Sequence, residues 1–205
     1  MKSLLTAIAL TVASVQVAAA ESATKNVYVG SVDQGKAKSA TCSACHGSDG
    51  NSAAADYPKL AGQHASYLAS TLRAYRDGSR ENAIMAGLAA ALSEEDIADL
   101  SAYYATQVAA SGAVRAELLE RGEQLYRFGD TERGISACAA CHGPTGVGLA
   151  SAVFPSLKGQ WAGYSENQLR AFRDGLRTNV MMNGVAQNMS DADIKAVSSY
   201  VEGLK

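Results

Sequence analysis

The chain repeats itself. Agreement at a fixed offset over most of a sequence is hard to produce by chance, so it fixes the architecture before any single residue is interpreted. Cys42-Ser43-Ala44-Cys45-His46 returns 96 residues later as Cys138-Ala139-Ala140-Cys141-His142. Beyond these runs the offset settles at 97: Tyr57-Pro58-Lys59-Leu60 faces Phe154-Pro155-Ser156-Leu157, and Gly62-Gln63 faces Gly159-Gln160. Leu72-Arg73 pairs with Leu169-Arg170, Arg76-Asp77-Gly78 with Arg173-Asp174-Gly175, and Arg80 with Arg177. Met85, Gly87, Ala89 and Ser93 meet Met182, Gly184, Ala186 and Ser190, and Asp96-Ile97 and Tyr103 meet Asp193-Ile194 and Tyr200. Two tandem units are therefore expected, over 21–110 and 111–205. Their join falls at Ala109-Ala110-Ser111-Gly112-Ala113, small residues suited to a connection. Only the second unit carries the additional loop around Phe128-Gly129-Asp130-Thr131-Glu132-Arg133-Gly134, to which the sequence assigns no role.

Each unit reads as helical, and no stretch alternates as a strand would. Leu118, Gly122, Leu125 and Tyr126 recur at helical spacing. Tyr67, Leu68, Leu72 and Tyr75 form an apolar stripe ending near Gly78, and Leu169, Phe172 and Leu176 repeat it. A closing helix begins at Ser93 and again at Ser190, each with an Asp three residues on in the manner of a capping box. Ile97, Leu100 and Tyr104, then Ile194, Val197 and Val201, supply its buried face. The predicted fold class is all-α.

The two Cys-x-x-Cys-His runs hold every cysteine of the chain and two of its three histidines. This run is the attachment signature of c-type haem: two thiols bond the vinyl groups, and the adjacent histidine coordinates iron from one side. One zinc ion shared by both pairs would need a spacing of roughly 15–20 residues, far below the observed one. A thioredoxin-like pair would need a βαβ context, and structural disulfides would not require a histidine after each second cysteine. Two haems, bound through Cys42, Cys45, Cys138 and Cys141, are the expected cofactors. With three Phe and one Trp in the whole chain, the porphyrins must supply much of the core, so apo-protein should fold poorly.

Covalent attachment of this kind takes place outside the cytoplasm, and the N-terminus agrees. Lys2 precedes an uncharged stretch from Ser3 to Ala20 that ends in Ala18-Ala19-Ala20, as in a secretory signal peptide over residues 1–20. The periplasm is the expected location, and no later segment is long and apolar enough to span a bilayer. After removal of residues 1–20 the charge is 17 basic against 20 acidic groups, which gives no indication of nucleic-acid binding. Residues 21–110 carry 7 basic and 10 acidic groups, whereas 111–205 carry 10 of each. Ferric haem bears one more positive charge than ferrous haem, so the first haem is expected to have the lower potential.

What fills the sixth iron position decides between a carrier and a catalyst, because methionine closes the metal and an empty position admits small ligands. Met85 and Met182 each lie eight residues before the serine that starts the closing helix. Met181 aligns with Ile84 yet stays a rival to its neighbour, and Met189 aligns with core residue Leu92.

Taken together, these features resemble the dihaem cytochrome c4 family: two tandem cytochrome c-like domains, each wrapped around a covalently attached haem. The resemblance covers the whole chain after residue 20. It implies axial ligation by His46 with Met85 and by His142 with Met182, with the carbonyls of Pro58 and Pro155 accepting from the proximal imidazoles. It also implies that the haems face one another across the domain boundary. The expected function is electron carriage from a quinol-oxidising complex to a terminal oxidase, with peripheral membrane association left open and no catalysed reaction. The rivals are a dihaem subunit of a flavocytochrome-type dehydrogenase and a dihaem peroxidase. Arg73, Arg76, Arg170 and Arg173 are candidate partners for the haem propionates, and Tyr103 and Tyr200 are expected to contact haem. His64, which aligns with Trp161, reads as an ordinary surface or packing histidine.

Overall fold

The computed structural model describes residues 28–205, so the expected signal peptide lies outside the described residues. The first half comprises α1 (Val32–Lys38), α2 (Ala40–His46), α3 (Ala65–Asp77), α4 (Ala83–Ala89) and α5 (Glu94–Ala105). The second comprises α6 (Leu119–Arg127), α7 (Ala139–His142), α8 (Ala162–Arg173), α9 (Val180–Ala186) and α10 (Asp191–Glu202). Among the described residues there is no strand, only two single antiparallel bridges, Asp130–Ile135 and Leu149–Phe154. The all-α expectation holds.

α5 and α10 are the spines of the two halves. Each opens with a full capping box, Ser93 with Asp96 and Ser190 with Asp193, which satisfies two N-terminal amides reciprocally. Ile97, Leu100 and Tyr104 are buried on α5, and Ile194, Val197 and Val201 on α10, as the periodicity requires. α1 crosses α5 at Gly35, and α6 crosses α10 at Gly122. A Cβ at either glycine would collide with the carbonyl oxygen of Asp99 or of Ala196, so these crossings exclude any larger residue.

The stripe on α3 also behaves as expected: Leu68 and Tyr75 are buried, and the helix stops at Gly78 in the left-handed region. The matching stripe on α8 is shorter than predicted. α8 ends at Arg173, so Leu176 falls beyond it and is 76% exposed rather than extending the face of Leu169 and Phe172. The additional loop of the second half folds back through the Asp130–Ile135 bridge and places Ile135 in the core, 2% exposed. Arg133, in that loop, and Arg121, on α6, both pair with Asp193 at 2.7 Å and thereby staple it to the start of α10.

The halves dock through contacts that obey the repeat. The Gln63 side chain accepts from Ser156 N at 2.8 Å and donates to Ser156 O at 2.9 Å. Gln160 does the same to Lys59, accepting from its N and donating to its O, both at 2.9 Å. Arg80 donates to Tyr164 Oη and Arg177 to Tyr67 Oη, each at 2.9 Å. Every partner is displaced by 97 residues, so the interface is self-complementary in the way of a two-fold symmetric dimer.

Candidate functional site

The three residues of each attachment run share one helical turn. Cys42 and His46 are four apart on α2, with Cys45 beside them, and α7 presents Cys141 and His142 just after its N-cap Cys138. Spacings of three and four bring side chains to the same helix face, so two sulfurs and one imidazole can address a single flat group. No disulfide ties up any of the four cysteines. The Cys42 sulfur lies against the core formed by Leu68, Tyr103 and Tyr104, and Cys138 against that of the second half. Burial raises the Cys42 thiol above its ordinary range and pushes Cys138 up to about 12.

His46 and His142 are 7% and 6% exposed. Nδ1 of His46 lies 2.8 Å from Pro58 O, and Nδ1 of His142 lies 2.9 Å from Pro155 O. A carbonyl can only accept, so Nδ1 carries the proton and the Nε2 lone pair is left for a metal. Burial also lowers both imidazole pKa values, which favours the neutral form that coordination requires. Nothing brings the two cysteine pairs together: among the described residues no cluster of three or more His, Cys, Asp or Glu could hold a metal, as one shared zinc would need.

Met85 and Met182 occupy equivalent places near the starts of α4 and α9. The side chains of Asn82 and Asn179 cap those helices by accepting from the backbone N of Met85 at 2.9 Å and of Met182 at 3.0 Å. Both methionines are half-buried. Met181 is 55% exposed, whereas Met189 is 4% exposed within the core cluster of the second half.

The arginines named from sequence each reach a carboxylate that opens a closing helix. Arg73 and Arg76 both pair with Glu94 in the first turn of α5, and Arg170 and Arg173 both pair with Asp191 in the first turn of α10. Arg80 and Arg177 are the pair that sequence reasoning passed over. Each stacks on a ring, Arg80 at 4.8 Å from the Tyr75 centroid and Arg177 at 4.5 Å from that of Phe172, and both donate to Gln168. Neither has a carboxylate partner among the described residues. Their exact repetition at the 97-residue offset was the signal that could have marked them.

Tyr103 and Tyr200 are buried as expected, but their hydroxyls turn to protein partners: Tyr103 donates to Ser48 O, and Tyr200 accepts from Arg127. His64 stands at the N-cap position of α3, half-buried, with no repeated counterpart.

This donor set fits haem. Each half offers two thiols, a neutral histidine with a free Nε2, and a half-buried thioether. Two guanidiniums without carboxylate partners are available to anionic groups at the domain boundary.

The comparisons agree with the geometry. Residues 32–107 and 119–205 each match the cytochrome c family. Cytochrome c4 of Pseudomonas aeruginosa is 46% identical over 179 residues, spanning 85% of this chain and 89% of that protein. The crystal structure of reduced recombinant cytochrome c4 from Pseudomonas stutzeri matches with a TM-score of 0.84 and 42% identity, covering 86% of this chain and 100% of that one. A Thiomonas intermedia protein named thiosulfate dehydrogenase electron acceptor is 42% identical over 175 residues, spanning 80% of this chain and 78% of that protein. This chain belongs to the cytochrome c4 family, a dihaem electron carrier rather than an enzyme, with one c-type haem in each of its two cytochrome c domains.

Proposed function

We propose that the chain works in the periplasm, taking electrons from a quinol-oxidising complex and delivering them to a terminal oxidase. The haems supply the Fe(II)/Fe(III) couple. Cys42 and Cys45 tether one of them and Cys138 and Cys141 the other, while His46 with Met85, and His142 with Met182, close the two irons. Pro58 and Pro155 hold the imidazoles in the tautomer that leaves Nε2 free. Arg80 and Arg177 answer the haem carboxylates. The domains divide between residues 110 and 111. Ala110 N donates to Asn51 of the first half, while Ser111 and Gly112 donate to Leu204 and Glu202 of the second.

One observation carries this reading. The proximal-histidine bond to a proline carbonyl and the asparagine-capped methionine recur at equivalent places in both halves, which favours six-coordinate irons in each and disfavours peroxidase chemistry. The test is an absorption spectrum of the oxidised protein, which should show the weak far-red charge-transfer band of thioether sulfur on ferric haem at an intensity fitting two such sites. Electron delivery is tested by oxygen uptake of washed membranes in the presence and absence of the purified protein. Cell fractionation tests the location.

A second reading has one specific support. The Thiomonas relative is named an electron acceptor of thiosulfate dehydrogenase, so the donor in this organism is a sulfur-oxidising enzyme under that alternative. Reduction of the purified protein by such a dehydrogenase, faster than by the quinol-oxidising complex, would select it.

A further inference from the structure

The peptide that joins Pro58 to Lys59 is bonded at both ends. Its carbonyl accepts from His46 Nδ1 at 2.8 Å, and its N–H, the amide of Lys59, donates to Gln160 Oε1 at 2.9 Å. In the other half the peptide joining Pro155 to Ser156 accepts from His142 at 2.9 Å and donates to Gln63 Oε1 at 2.8 Å. Each proximal imidazole is thus one peptide unit away from a side chain of the opposite domain. No cis peptide interrupts the described backbone, so carbonyl and N–H point in opposite directions and the bonds run head to tail. Gln63 and Gln160 are 7% and 9% exposed, and both histidines are more than nine-tenths buried.

Hydrogen bonds in such a chain polarise one another, and water does not screen them here. An acceptor on the amide N–H draws its proton, which leaves more negative charge on the carbonyl oxygen. The carbonyl then pulls harder on the Nδ1 proton, and the imidazole becomes a more basic ligand. A more basic ligand favours the ferric state.

We infer that Gln63 and Gln160 are cross-domain positioning residues, each lowering the potential of the haem held in the opposite half by acting through one peptide on its proximal histidine. The inference rests on the assignment of His46 and His142 as iron ligands. Docking of the two domains is then not only a matter of bringing haems together. It sets the electron affinity of each.

Gln160→Met removes the acceptor while keeping the side-chain length. In the intact dihaem protein it should raise the potential of the haem held by His46, on the order of a threefold change in the oxidised-to-reduced ratio at a fixed potential. That corresponds to ~28 mV at 59 mV per decade. The haem held by His142 should move less. Gln63→Met should do the converse. In the reduced, diamagnetic protein the Nδ1 proton of the opposite-domain histidine should shift upfield in each variant. Gln160→Glu keeps an acceptor and adds charge, so it should lower the potential of the His46 haem, and it serves if the methionine variant does not fold. Ser66→Ala removes a different interdomain bond, from Ser66 Oγ to Ala150 O at 2.8 Å, and should leave the difference between the two potentials unchanged. Equal shifts of both haems, shifts confined to the variant's own half, or no shift at all would overturn the relay. If these failures occur while the wild-type spectrum keeps its histidine–methionine signature, the ligand assignment stands and only the relay falls. If that signature is missing from the wild type, both fall.

Discussion

The ammonium of Lys59 lies 4.1 Å from the centre of the Trp161 ring, across the join between the two halves. It also donates to Ala110 O and Gly159 O, both at 2.8 Å. Burial pulls its pKa below the usual lysine range, with the Glu202 carboxylate opposing. The repeat places Ser156 and His64 where Lys59 and Trp161 would have their counterparts. This cation therefore has no counterpart in the other half, and an aromatic face and two carbonyls hold it.

Lys59 immediately follows the proline that holds His46, so its charge should be felt by the first haem. The acidic balance of residues 21–110 predicts a lower potential for that haem; Lys59 acts in the opposite sense, because a nearby cation disfavours Fe(III). Lys59→Met should lower the first potential further, on the order of tens of millivolts, given that 59 mV is tenfold for one electron. The backbone bonds of residue 59 are kept. A redox titration with each haem assigned by NMR measures both claims. A wild-type first haem of higher potential than the second would reject the charge-balance argument, and an unchanged potential in the variant would show that the first iron does not sense Lys59.

Replacement of the methionines separates ligand from bystander. Met85→Ala or Met182→Ala should remove about half of the far-red band and allow carbon monoxide to bind that half of the reduced protein. Met181→Ala should change neither, because that side chain is 55% exposed. Loss of the band with Met181 but not Met182 would move the ligand to the neighbouring position.

Self-comparison of the sequence carried most of the fold and marked the residues proposed to hold the haems. Capping boxes, the buried faces of α5 and α10 and the paired methionines all recur at one offset, and local chemistry suffices to place them. The Gly-Gln pairs were equally visible as matches, yet identity at an offset does not say which half a side chain touches. The reach of Gln63 and Gln160 across the boundary depends on docking, which no local pattern encodes. The ion pairs of the four arginines named as candidates for the propionates were missed for a related reason. Glu94 and Asp191 open the next helix at matching positions and capture them, so the repeated acid was the overlooked signal. Ile135 entered the core from a loop without periodicity, and Leu176 left it because Asp174-Gly175 ended α8 early.

Asp99 makes the first half acid-sensitive. Its carboxylate is fully buried and accepts from Lys38 Nζ at 2.6 Å, Ser31 N at 2.7 Å and Tyr28 Oη at 2.9 Å. Burial alone would raise its pKa, but the Lys38 ammonium, the Ser31 amide and the Tyr28 hydroxyl outweigh it and hold the carboxyl below its usual range. A carboxyl depressed by folding contributes stability above its unfolded value, near pH 3.9. That contribution is lost as the pH falls through the lower folded value. Amide exchange of Val32–Lys38 should therefore accelerate below about pH 4. Asp99→Asn should flatten this acid limb and cost on the order of 2 kcal/mol at neutral pH, since Lys38 would lose the buried one of its two carboxylate partners and keep only Asp96. An unchanged acid limb in the variant would assign the sensitivity to another carboxylate.

The two halves should differ in how far they depend on their haems. The contiguous buried cluster of the first half is Leu68, Tyr103 and Tyr104, with Cys42 and Leu60 packed against it, while Tyr75, Ile97 and Leu100 are buried outside that cluster. In the second half Leu125, Tyr126, Ile135, Met189 and Leu204 join the α10 face in one continuous cluster. Each large apolar side chain withdrawn from water contributes ~1.5–3 kcal/mol, so the second half retains a core of its own where the first relies on the porphyrin. Blocking attachment with Cys42→Ala and Cys45→Ala should strip protection from the amides of α1 to α5. The matching change at Cys138 and Cys141 should leave α6 and α10 partly protected, because Gly122 and the Arg121 and Arg133 pairs with Asp193 still lock that crossing. Hydrogen exchange read segment by segment compares the two. Equal loss in both halves would mean that the second cluster is too small to fold without its haem, and the poor folding of apo-protein expected from composition would extend to both.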